Sequence, residues 1–389
     1  MMRLGIVGTD RQVEGVAAAA AARGDSLVRL SDDSEPGAWE HFLDAASCDA
    51  VIIGGEGRAE AVRTLVQVGR PLVLAQPISL SMLWAWEIEM IRQDVGGPIV
   101  PILPARLHPF MTRLRRAVEG AMAGSGALGI LETVEFDRRL PDRRREPVLE
   151  SLARDADLVR VLVGEPEKLA AFGVAADAAT WTSLTVGFSG QSLIPVRWQV
   201  AAGTEGSLRI TLRGSSGAVS VEAPDDWSQP WTWSVGDGHT AEAVSFEHGS
   251  AILGVLDRIL GHAPSPTPDD TALMPAAWAD AARGIELAET VPRSLAKGRA
   301  IDLHREEFSE LGTFRGTMAS LGCGLILAAL VLVIAGAILG GVAKAIGWEF
   351  GERVAGAWPF VAIVVLGGFL ALQVLPALVA GGRRHEEKS

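Results

Sequence analysis

Cysteine is nearly absent. Cys48 and Cys323 are the only two in 389 residues, so neither a disulfide framework nor a thiolate metal site can be assembled, and a reducing compartment suits the chain. Positive charge is also scarce: 35 Lys and Arg stand against 47 Asp and Glu, leaving a formal charge of -12 and a pI near 5.2. Without a basic field there is nothing to hold a phosphate backbone, which excludes nucleic acid as a general partner. No signal peptide is expected either. The apolar run Leu4–Val7 is stopped by Asp10 and Arg11, short of the roughly 7 to 15 apolar residues such a segment needs. Of seven histidines, His239 and His248 form the only close pair in the second half. No carboxylate or cysteine spacing around them makes a ligand set, so no metal is expected and both are read as surface residues.

What the chain does have is apolar length. Hydrophobic residues make up 48% and mean hydropathy is +0.25, yet 21% of residues are charged, which fits a soluble body joined to a strongly apolar piece. That piece is visible: 319–343 and 355–380 contain no charged residue, and each exceeds the ~20 residues that cross a hydrocarbon core. Lys297, Arg299, Arg305 and Arg315 precede the first run and Arg383, Arg384 and Lys388 follow the second. The positive-inside bias therefore places both termini in the cytoplasm, with the lipid bilayer of the cell membrane as partner. Trp348 and Trp358 suit an interfacial belt, and Gly336-xxx-Gly340 with Gly367-xxx-Ala371 offers small faces for packing. With no line of ionisable groups inside, the two spans read as an anchor.

The body ahead of them is long enough for two domains. Leu4–Gly8 reads as a strand and turn, 13–22 as an Ala-rich helix, and 26–30 as a second strand ending in Ser31-Asp32-Asp33, the opening of a dinucleotide-binding βαβ unit. In that fingerprint three glycines permit a tight turn, close approach of a diphosphate and helix packing. Gly8 keeps the first; Asp10 and Val13 hold the other two positions, while Asp32 has the spacing of the ribose-binding acid. A carboxylate thus stands where backbone should meet a diphosphate. Asp49–Gly55 follows as a buried strand with a Gly-rich end, then a helix near 59–68 capped by Gly69, then a strand at 71–75.

The run Ala59–Pro77, Arg106-Leu-His-Pro109, Gly126-Ala-Leu-Gly129 before a strand, Asp157–Pro166 and Ser294–Arg299 together resemble the Gfo/Idh/MocA family of oxidoreductases over about residues 3–303. The resemblance implies an α/β fold: a Rossmann-like NAD(P)-binding domain over 1–122, an α+β domain with an open, mostly antiparallel sheet over 123–303, then a linker at 304–317 and the two-helix anchor at 318–389. It implies NAD or NADP as cofactor, held by Gly8, Thr9, Asp10, Asp32, Gly54, Gln76 and Pro77, a sugar or cyclitol as ligand, and a homo-oligomer formed through the open sheet. It also aligns Gln76 with the family's catalytic lysine, Glu150 with its aspartate and Arg154 with its histidine.

Hydride leaves a hydroxyl only if a base takes the proton. Gln76 carries no titratable proton and Arg154 stays protonated. Glu150 alone could serve, with a pKa raised by burial and opposed by Arg154 four residues on. The pair is either a remodelled site, Glu150 as base and Arg154 clamping an anionic substrate, or an exposed ion pair on a helix. Asp157 reads as structural or as a helix-surface residue. The arginine-rich stretch Asp137–Arg145 could line the cleft for an acidic ligand, face an anionic leaflet, or be a solvated loop.

In the second domain, 184–188, 196–200, 208–212 and 219–223 alternate as strands. Trp227, Trp231 and Trp233 interrupt the pattern, as packing residues or as a platform for a sugar ring. Pro264–Asp270 reads as a loop before a helix near 276–290. Three functions stay open: a membrane-tethered NAD(P)-dependent oxidoreductase, a pseudoenzyme binding a nucleotide or sugar at the membrane, and a structural assembly protein.

Overall fold

The computed structural model describes residues 1–30, 37–44, 46–190, 192, 194–236, 239–263 and 273–303, with isolated positions between 334 and 348. The chain divides into two compact units, Met1–Leu303 and His304–Ser389.

The first unit opens with β1 (Arg3–Val7), α1 (Arg11–Arg23), β2 (Ser26–Leu30), β3 (Ala50–Ile53), α2 (Ala59–Leu65), β4 (Leu72–Leu74), α3 (Met82–Val95) and β5 (Ile99–Pro101). These strands lie parallel in the order β2-β1-β3-β4-β5. Their sequences explain the arrangement: β3 and β4 are apolar throughout and buried at every position, as a parallel sheet covered on both faces requires. α1 begins two residues earlier than its apolar spacing indicates, because the Asp10 carboxylate accepts from the Gln12 amide at 2.7 Å and caps it there. Gly24, in the left-handed region, ends it.

α4 (Pro109–Met122) leads to β6 (Leu131–Leu140), α5 (Arg145–Val163), β7 (Pro166–Phe172), β8 (Thr185–Gly190), β9 (Val196–Ala202), β10 (Ser207–Gly214), β11 (Gly217–Pro224), β12 (Trp231–Val235), β13 (His239–Val244), α6 (His248–Ile259), α7 (Trp278–Lys297) and β14 (Ile301–Asp302). The second sheet runs β13-β12-β11-β10-β6-β9-β8-β7-β14 and is antiparallel except where β6 meets β9. Alternation sets its faces. Val134, Phe136 and Leu140 of β6 are buried under α5 and α7 with Leu152, Val159, Leu287 and Val291. On the other face Arg197 and Arg213 both reach Glu135, and Arg209 and Arg139 both reach Glu222.

Two late helices return to the first sheet. Ile252, Leu253 and Leu256 of α6 join the core made by Leu4, Ile6, Val13 and Val16, and Gly249 lies so close to α1 that an added Cβ would stand 2.4 Å from the Gly15 carbonyl. The first turns of α7 place Trp278, Ala282 and Ile285 against Trp84 and Ile88 of α3. α7 runs on to Lys297 through Pro292, past the end expected near 290, since the burial of Val291 and Ser294 against the second sheet holds the helix where proline alone would break it.

A chain of charges ties the parts together. Arg106, just after β5, pairs with Asp157 of α5 and with Asp280 of α7; Arg160 joins Asp280 to Glu165, and Glu165 continues to Arg283.

The second unit is described at scattered positions, with helical backbone over much of 334–345 and a turn at Ile346 and Gly347. No helix of the described residues is long and apolar enough to cross a membrane. The run 355–380 and most of 319–343 lie outside the described residues, as do the linker 304–317, the loop 264–270 and Asp32.

Candidate functional site

The carboxyl ends of β1, β3 and β4 meet at two glycines. Gly8 has φ +92, and a Cβ there would lie 1.8 Å from the Gly54 carbonyl oxygen, so only glycine lets the loops after β1 and β3 approach this closely. Thr9 is exposed beside them and Asp10 half-buried.

The residue that organises this edge is one the sequence reading passed over. Gln12, in the first turn of α1, accepts from the Gln76 amide at 3.0 Å and donates to the Gln76 carbonyl at 3.1 Å. Gln76 precedes Pro77 through a cis peptide bond. Its side chain is buried and donates back to the Leu74 carbonyl at 3.2 Å. It is therefore a backbone anchor without an acid-base group.

Arg154 of α5 approaches from the other side. It donates to the same Gln76 carbonyl at 3.1 Å and to the Ser151 hydroxyl at 3.2 Å. Glu150, one turn earlier on α5, makes no hydrogen bond or ion pair among the described residues, and both side chains are half-buried. The exposed ion pair that their spacing allowed is thus not formed: Arg154 is drawn to a carbonyl of the first sheet. Burial raises the Glu150 pKa above the usual carboxylate range, Arg154 opposes the shift, and the negative charges of Glu146, Asp10 and Glu56 add to it.

Three cavities open around this point, of about 270, 840 and 720 Å³. Among the described residues Arg154 alone lines all three. The first cavity lies between the start of α1, the end of β5 and the second sheet, and is bounded by Arg11, Trp227, Trp231 and His248. Its floor is a buried network in which Arg138 pairs with Asp155 and, at 2.5 Å, with Asp225, while Trp198 donates to Asp155 at 2.9 Å. These opposing charges push the Arg138 pKa further up against its burial. The second cavity is bounded by Gly55, Gln76, Arg144, Arg145 and Glu150, and the third by Arg11, Glu150 and Trp227.

The arginine-rich stretch is consequently not one patch. Arg138 is buried, Arg144 pairs with Asp142, and Arg145 lies over the Trp181 ring. Trp231 and Trp233 are core residues of β12, whereas Trp227 is half-buried and packs over Gly15 of α1. Asp157 is a buried structural partner of Arg106.

His248 departs from the surface position expected of it. It is 4% exposed, because α6 docks its first turn directly on α1 and carries the ring in beside Phe246 and Trp227. His108, fully buried, stacks on Trp231 at 4.0 Å and accepts from the Phe110 amide at 3.1 Å through Nδ1. Burial lowers both pKa values to about 4, so both rings are neutral near pH 7. The second sheet's alternation gave no sign of either burial.

No family model and no curated protein matches the sequence. Solved structures do match. A putative myo-inositol dehydrogenase from Sinorhizobium meliloti superposes with TM-score 0.56 at 18% identity, over 78% of this chain and all of that one. A putative NADPH-dependent oxidoreductase from Desulfitobacterium hafniense gives 0.61 at 13%, over 77% and 97%. A protein of gentamicin A biosynthesis in complex with NAD gives 0.59 at 15%, over 78% and 96%. The fold is theirs. At these identities the likeness establishes the dehydrogenase fold and no more.

A dinucleotide is the cofactor that such a fold implies, and the residues at the start of α1 do not fit its diphosphate. The Gln12 amide, which should face phosphate, is taken by the Asp10 carboxylate at 2.7 Å. A Cβ at Gly54 would stand 2.5 Å from Val13 Cγ2 and 3.1 Å from Asp10 Cβ, so side chains already crowd the place where the glycine pattern leaves room.

Proposed function

We propose that this chain uses the dehydrogenase fold to bind a small polyol bearing an acid group, a sugar acid or a cyclitol phosphate, without NAD(P)-dependent hydride transfer, and that two C-terminal spans hold it at the cell membrane with both termini in the cytoplasm. The observation that carries the ligand class is Arg154. Both of its hydrogen bonds among the described residues go to neutral oxygens, leaving its charge available at the junction of three cavities. Glu150 and Asp10 supply acceptors for hydroxyl groups, and Trp227 an apolar surface for a ring. Support for the tether is the pair of uncharged runs with basic flanks.

The test is calorimetric titration of the detergent-solubilised full chain with glucose, glucuronate, inositol and inositol phosphate. Binding of an acid-bearing compound at least tenfold tighter than its neutral parent, and loss of that preference in Arg154→Ala, sustains the proposal. Equal or absent binding across the set overturns it.

A second reading is an NAD(P)-dependent oxidoreductase acting on a sugar or cyclitol with an altered proton relay. What favours it is Glu150, half-buried and with a raised pKa, together with the fold shared with a neighbour in complex with NAD. A dissociation constant for NADH or NADPH in the micromolar range would establish it over the first.

A further inference from the structure

His248 is a buried polar side chain whose hydrogen bonding the fold leaves unfinished. It is 4% exposed, and its Nδ1 finds no partner among the described residues. The first turn of α6 sets the ring between Phe246 and Trp227, with centroids 4.9 and 5.2 Å away. His108 nearby engages its own Nδ1 with the Phe110 amide, whereas the corresponding atom of His248 stays unpaired. Such a group costs free energy unless something else completes it. Of the three cavities, His248 borders only the one of about 270 Å³, together with Trp227 and Trp231.

We propose that this cavity holds the hydroxylated ring of the ligand and that His248 hydrogen-bonds one of its hydroxyl groups. The inference rests on the ligand class proposed above and selects one of three cavities for it. Charge makes the selection. In the first cavity Asp155 and Asp225 are paired with Arg138, and Asp157 with Arg106, while Arg154 bonds only neutral oxygens and keeps its charge for an acid group. The second cavity is bordered by Glu56, Glu146, Glu150 and Glu289, and the third by Glu150, Glu205 and Asp226, carboxylates that repel an anion. The chemistry of the ring agrees. Burial keeps His248 neutral, and a neutral imidazole presents one N–H donor and one lone-pair acceptor. A hydroxyl group carries the same two functions. Trp227 and Trp231 add flat apolar walls on which the C–H face of a sugar or cyclitol ring packs.

The experiment titrates the detergent-solubilised full chain by calorimetry with glucuronate and inositol phosphate and with the mono-deoxy analogues of each, in the wild type, His248→Phe and His248→Asn. Phenylalanine keeps the ring packing and loses both polar functions. The expected result is that one analogue binds the wild type about tenfold more weakly than its parent, that His248→Phe binds the two alike, and that His248→Asn, with a donor and an acceptor, restores part of the difference. A difference as large in His248→Phe as in the wild type, or none for any analogue in the wild type, overturns the proposal. If neither variant folds, the wild type carrying 15N-labelled histidine decides at pH 6, where His248 is neutral: its ring-nitrogen resonance moves with the parent and stays in place with that analogue, and a resonance that ignores both overturns the proposal. Arg154→Ala separates the two levels. A parent that binds with an Arg154-dependent preference for the acid group, yet shows no His248-dependent loss, sinks only this assignment, whereas absence of binding by both parents sinks the ligand class and the assignment together.

Discussion

The side chain of Gln12 binds both the amide and the carbonyl of Gln76, at 3.0 and 3.1 Å, and so joins the first turn of α1 to the backbone after β4. Two separate segments of the cleft rim are fixed to each other by one residue. Replacing it by leucine, of similar size, leaves the Gln76 amide unpaired and its carbonyl held by Arg154 alone. The expected loss is about 1–3 kcal/mol in urea denaturation with an unchanged slope, and Gln12→Glu, which keeps an acceptor but no donor, should fall between leucine and wild type.

Asp10 performs the opposite of what a dinucleotide needs, which gives a gain-of-function test. Asp10→Gly removes the cap and the carboxylate together. Stability should fall by only about 0.3 kcal/mol, because glycine is itself tolerated at an N-cap. By fluorescence titration NADH is expected not to bind the wild type at millimolar concentration and to bind the variant measurably.

Gly8→Ala is expected to be far more damaging than either. The added methyl would collide with the Gly54 carbonyl at 1.8 Å in a backbone conformation that L-residues rarely adopt. A loss of at least ~3 kcal/mol, or failure to accumulate as folded protein, is expected by circular dichroism.

His108 and His248 make stability depend on pH. Both pKa values are about 4 in the folded chain against an ordinary 6.5, so the unfolded chain takes up the protons first as pH falls. The stabilisation from their neutral rings is complete above pH 6.5 and disappears between 6.5 and 4. The melting temperature should drop by roughly 5 to 10 °C from pH 7 to pH 5. His248→Phe should flatten that dependence.

Asp155→Asn and Asp155→Leu test the buried network beneath the first cavity. Each leaves Arg138 short of a partner in an enclosed site, and each should cost about 3–5 kcal/mol. Arg138→Met combined with Asp155→Leu should recover part of that loss, because the two buried charges go together and only the partly exposed Asp225 loses its partner.

How much of this was legible in the sequence follows from which forces act locally. The strands of the first sheet announce themselves as short apolar runs between turn residues, and α1 by its alanines. The second sheet shows in the alternation of residues such as Leu184, Val186 and Phe188. Gly8 was readable because a turn depends on near neighbours, whereas Asp10 was read only as a carboxylate at a diphosphate position and its cap on α1 was missed. Gln12 was not readable, since its partner lies 64 positions away and a glutamine has no local signature. Arg154 was identified through family resemblance, but its bond to the Gln76 carbonyl needed the packing of α5. His248 was misjudged for the same reason: its burial is decided by α6 reaching back to α1, and the ring itself carries no mark of that. Arg138 looked like one arginine among several, and only the register of β6 turns it inward.

The chain of charges from Arg106 through Asp157, Asp280, Arg160 and Glu165 to Arg283 has a kinetic consequence. Because it joins the exit of β5 to α5 and α7 behind the cleft, separating those elements would expose several buried ions at once. Wide opening of the body is thereby made slow and infrequent. A ligand then meets walls that are already in place and little free energy is lost in reorganising them.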